Sequence, residues 1–78
     1  MSSSMQNQVI RNIAFYLVEQ YMMDNNCSKE EALNTIIQTT VYEALMDPET
    51  ELFLESRESV YDILKEEFAG NPQRLLML

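Results

Sequence analysis

A chain of 78 residues has room for one domain and one hydrophobic core. Its net charge of −8 opposes binding to nucleic acid or anionic lipid, because Arg11, Lys29, Arg57, Lys65 and Arg74 are scattered singly and phosphate contacts need clustered cations. With Cys27 as the one cysteine and no histidine, an intrachain disulfide and a Cys/His zinc site are both excluded.

Other broad classes fall away as quickly. The start Met1-Ser2-Ser3-Ser4 lacks the basic stretch of a signal peptide and reads as a flexible end. No apolar run approaches the roughly 20 residues that span a bilayer, so no membrane association is expected. A lone cysteine fits a reducing compartment, and the expected location is the cytoplasm. At 46% hydrophobic residues the chain has enough apolar material to fold.

The first periodic segment runs from Met5 to Asn25. Val9, Ile10, Ile13, Ala14, Tyr16, Leu17 and Tyr21 recur at helical spacing, and Phe15, Val18 and Met22 add a second apolar row. The polar remainder is narrow, so this helix should be covered on two sides. Asp24-Asn25-Asn26 breaks the pattern. Ser28-Lys29-Glu30-Glu31 then carries a capping box: the Ser28 hydroxyl accepts from the Glu31 amide, and the Glu31 carboxylate reaches back to the Ser28 amide.

A second helix therefore starts at Lys29, with Ala32, Leu33, Ile36 and Ile37 facing inward. It continues to the Asp47-Pro48 turn, with a bend or restart at the β-favouring run Thr39-Thr40-Val41-Tyr42. The segment around Leu52 to Leu54 is irregular or extended. Ser56 caps a third helix carrying Val60, Tyr61, Ile63, Leu64 and Phe68, which ends at Gly70 before Pro72. The expected fold is an all-α, three-helix single domain over residues 1–78, with residues 71–78 as a C-terminal tail. The expected core is Ile13, Leu17, Leu33, Ile37, Leu45, Val60, Leu64 and Phe68.

Nine of the thirteen acids fall between Glu43 and Glu67. Glu58, Asp62 and Glu66 form a like-charge column on the third helix, either a solvated face or a surface for a basic protein partner. Glu66 and Glu67 also sit in a last turn, where the helix dipole prefers cations. From Asp47 to Glu58 the acids Asp47, Glu49, Glu51, Glu55 and Glu58 fall near the ligand positions of a calcium loop, but Leu52 replaces the glycine that the sharp turn needs. No serine follows an aspartate as in acyl carrier proteins. Without histidine, serine and cysteine lack their usual base. No catalytic residue, cofactor or metal site is expected, and Cys27 reads as a small packing residue before the second helix.

Ser28-Lys29-Glu30-Glu31-Ala32-Leu33, Thr40-Val41-Tyr42-Glu43-Ala44-Leu45 and Val60-Tyr61-Asp62-Ile63-Leu64 together make the chain resemble a family of short bacterial domains of unknown function, over roughly residues 9 to 68. Members of that family are sometimes encoded beside toxin-like genes. The resemblance implies an antitoxin-like or accessory binding role and carries over no active-site residue. The expected function is a protein-interaction module that self-associates as a homo-oligomer. Its candidate contacts are Phe15, Val18 and Met22 on the first helix, Glu58, Asp62 and Glu66 on the third, and Leu75, Leu76 and Leu78 in the tail. A calcium-responsive domain and a small component of a larger assembly are the alternatives.

Overall fold

The computed structural model describes residues 2–70, and all of the regular structure found there is helical. Four α-helices follow one another: α1 (Ser2–Asn25), α2 (Lys29–Ile36), α3 (Thr40–Met46) and α4 (Arg57–Phe68). Two 3-10 turns, Pro48–Thr50 and Leu52–Leu54, join α3 to α4. The all-α class is as expected from the sequence; the helix count is four, because the expected second helix is two.

Each helix end has a local cause. After α1, Asn26 adopts a left-handed φ of 51° and the Cys27 amide donates back to the Met22 carbonyl at 3.3 Å, closing a Schellman-type end. Ser28 caps α2 by accepting from the Glu31 amide at 3.2 Å. Among the described residues the Glu31 carboxylate makes no return bond, so half of the expected capping box forms.

The break between α2 and α3 belongs to Thr39. Its hydroxyl donates to the Ile36 carbonyl at 2.6 Å and accepts from the Tyr42 amide at 3.1 Å, closing one helix and opening the next. A threonine that bonds its neighbours' backbone competes with helix continuation. Ser56 caps α4 through the Ser59 amide, and Gly70 follows at φ 87°.

The core is one cluster: Ile10, Ile13, Leu17 and Val18 of α1, Ala32 and Ile36 of α2, Val41 and Leu45 of α3, Leu52, and Val60, Tyr61, Ile63 and Leu64 of α4. Three expected core residues are not in it. Leu33 is 43% exposed, Ile37 44% and Phe68 44%. On α2 the buried pair is Ala32 and Ile36, four apart on one stripe. The small Ala32 side chain allows close approach to α1, and that choice of stripe turns Leu33 and Ile37 outward. Phe68 lies over Tyr21 instead, with ring centroids 5.4 Å apart. The segment expected to be irregular places Leu52 in the core and leaves Leu54 exposed.

The end of α4 meets the start of α3. The two carboxylate oxygens of Glu67 accept from the backbone amides of Thr40 at 2.8 Å and Val41 at 3.0 Å. With Thr39 on the Tyr42 amide, three amides that the first turn leaves without helical partners are satisfied. The anion also lies at the positive end of α3. Glu67 is locally misplaced at the end of its own helix and well placed at the start of another.

These assignments have measurable consequences. Ile36→Ala should cost about 2–4 kcal/mol in urea unfolding, while Leu33→Ala costs less than about 1 kcal/mol; equal losses would refute this register of α2. Glu67→Ala should cost about 1–3 kcal/mol, and Glu67→Gln should cost less because an acceptor is kept.

Candidate interaction surface

α1, α2 and α3 enclose an open groove of about 350 Å³. Its apolar lining is Ile10, Ala14, Phe15 and Val18 from α1, Leu33 from α2, and Tyr42 and Met46 from α3; Asn7 and Arg11 complete it. Leu33 stands here because Ala32 and Ile36 take the inner stripe. Phe15 is 52% exposed at its edge, and Met46 is exposed beyond it. No carboxylate lines the groove, although the chain has thirteen. The acids all lie from Glu19 onward, so the first three-quarters of α1 is acid-free and carries Arg11 as its one charge.

The expected first-helix contacts divide. Phe15 is exposed, as a contact must be. Val18 is 6% exposed and belongs to the core, where it forms the groove's floor. Met22 is half-buried against the same core. The second apolar row of α1 is therefore largely covered from within, because α2 and α3 pack across it. Leu33 and Met46 were absent from the sequence-based contacts. For Leu33 the signal was the small Ala32, which favours one of two overlapping apolar stripes on α2; Met46 had no comparable signal.

Two members of the acidic column are exposed but paired with cations of their own helix. Arg57 Nε meets the Glu58 carboxylate at 3.2 Å, and Lys65 Nζ meets Asp62 at 3.4 Å. A backbone hydrogen bond at the start of α4, reinforced by Arg57, holds the Glu58 carboxyl below the usual range. Glu66 is half-buried and engaged. In the Asp47–Glu58 segment, Asp47 caps the first 3-10 turn by accepting from the Glu49 amide at 3.0 Å. Among the described residues no three His, Cys, Asp or Glu side chains gather as a metal site requires. Cys27 packs half-buried against the core. Leu75, Leu76 and Leu78 lie outside the described residues.

A second depression, lined by Tyr21, Asp24, Asn25, Tyr61, Lys65 and Phe68, sits where α1 ends beside α4. The Tyr61 hydroxyl donates to the Asp24 carboxylate, and the Lys65 ammonium lies 5.1 Å from the Tyr61 ring centroid. Tyr16 meets Tyr61 edge to face at 6.4 Å, with the Arg57 guanidinium 4.9 Å from the centre of the Tyr16 ring. Burial first, and then the hydrogen bond to Asp24, push the Tyr61 phenol well above its usual range. These groups saturate one another and brace α1 against α4.

No helix among the described residues is long and apolar enough to cross a membrane. No family model matches the chain, and neither does a curated protein or a solved structure.

The Tyr61 brace has a signed pH dependence. A phenol whose folded pKa is raised contributes stability that is fully present below the unfolded value of about 10 and is lost as pH rises above it. Alkaline titration should show part of the phenolate absorbance appearing only as the chain unfolds. Tyr61→Phe should abolish that late step; its persistence would assign it to another tyrosine.

Proposed function

We propose that this chain is a protein-interaction module that works by binding rather than catalysis and that self-associates through the face formed by the first part of α1 and the groove beside it. The observation that carries this reading is an apolar groove free of acids in a chain of net charge −8. Net charge of one sign opposes association between copies. A copy can approach its twin closely through a face that leaves most of its acids outside or brings them opposite cations, and the Phe15, Leu33 and Met46 face lines its groove with no carboxylate. Apolar burial at roughly 25 cal/mol per Å² would supply the binding energy, while the excluded acids keep the assembly from growing further.

An antitoxin-like or accessory role, implied by the resemblance to domains encoded beside toxin-like genes, belongs to the same class of activity. It would use the acids of α4 against a basic partner. The pairing of Glu58 and Asp62 with cations of their own helix favours the groove as the contact surface.

Light scattering after size exclusion should give the mass of a dimer for the unaltered protein. Phe15→Asp and Leu33→Asp, both at exposed positions, should each shift it to the monomer with the helical circular dichroism unchanged. A monomer at millimolar concentration, or a dimer indifferent to both substitutions, would remove this face from consideration.

A further inference from the structure

We infer that two copies pair α1 against α1 in antiparallel fashion about a two-fold axis at Phe15, with Arg11 of each copy against Glu19 of the other. This rests on the reading that the groove side of α1 self-associates, and it specifies how.

Arg11, Phe15 and Glu19 follow one another at four-residue spacing, so they form one slowly drifting column on α1. All three are exposed. Arg11 and Glu19 are eight residues apart, roughly 12 Å along the axis, too far to pair within one chain. The ion pairs among the described residues are Arg57 with Glu58 and Lys65 with Asp62, and neither uses Arg11 or Glu19. The column thus presents a cation, an aromatic ring and an anion, and among the described residues neither charge has an ion-pair partner.

That order is self-complementary in one orientation. In a two-fold contact, if one residue meets a second across the interface, the second also meets the first. With the axis at Phe15 and the helices antiparallel, position 11 faces position 19 twice, and the two rings meet at the centre. A parallel arrangement would set Arg11 on Arg11 and Glu19 on Glu19. About the same axis the exposed Gln8 comes opposite the half-buried Met22, so Glu19 is the one acid among these facing positions, and it comes in opposite a cation. The two rings can take an offset or edge-to-face arrangement. Phe15 also lines the groove, together with Leu33 and Met46.

Charge reversal tests the register without touching the core. By sedimentation, Arg11→Glu and Glu19→Arg should each weaken the dimer on the order of tenfold at low salt, since each breaks two pairs and creates two repulsions. The double variant R11E/E19R should recover the unaltered affinity. An equimolar mixture of the two single variants should form a one-to-one heterodimer tighter than either homodimer. If the unaltered protein is a dimer but the reversals change its Kd by less than about twofold, or the mixture shows no preference, the Arg11–Glu19 register is wrong while self-association stands. If the unaltered protein is a monomer at the highest concentration reached, self-association itself fails and the register fails with it.

Discussion

α1 meets α2, α3, α4 and the Leu52–Leu54 turn, so the apolar stripe of Ile10, Ile13, Leu17 and Val18 is the surface on which the other elements are assembled. A chain this small, with no disulfide to restrict its unfolded state, depends on that single stripe being covered. The covering elements are short. α2 has 8 residues and α3 has 7, lengths that are marginal as isolated helices. They persist because Ala32, Ile36, Val41 and Leu45 are buried against the stripe and because their ends are capped.

The Glu67 contact shows how that dependence reaches across the chain. Judged within α4, a carboxylate in the last turn is unfavourable. Placed on the otherwise unpaired amides of Thr40 and Val41, it joins α4 to the shortest α-helix and satisfies donors that would otherwise need water. Thr39 does comparable work locally by ending α2 and starting α3. A side chain's electrostatic role is therefore set by the helix terminus it reaches, which is not always its own.

The same packing accounts for the groove. Two short helices crossing a 24-residue one cannot cover it along its whole length, and Phe15 stands where their cover stops. Taking Ala32 and Ile36 inward sends Leu33 outward to the rim. The α1 part of this rim precedes the first acid, Glu19, and no carboxylate lines the groove. At the other end of α1 the depression lined by Tyr21, Asp24, Tyr61, Lys65 and Phe68 carries a carboxylate and an ammonium, so it lacks the apolar character of the groove.

Much of this was legible in the sequence because it is written in local chemistry. The Asn26 stop, the Ser28 and Ser56 caps, the Gly70 end and the 3.6-residue period of α1 each depend on residues within a few positions of one another. The net charge is likewise fixed by composition alone. Tertiary structure alone decided which of two overlapping apolar stripes on α2 turned inward, that Val18 became floor and Phe15 rim, and that Glu67 served α3. Periodicity lists the faces a helix can bury, but the choice among them is made by the shape of the neighbouring helix, and here the stripe that went inward is the one carrying the small, fully buried Ala32.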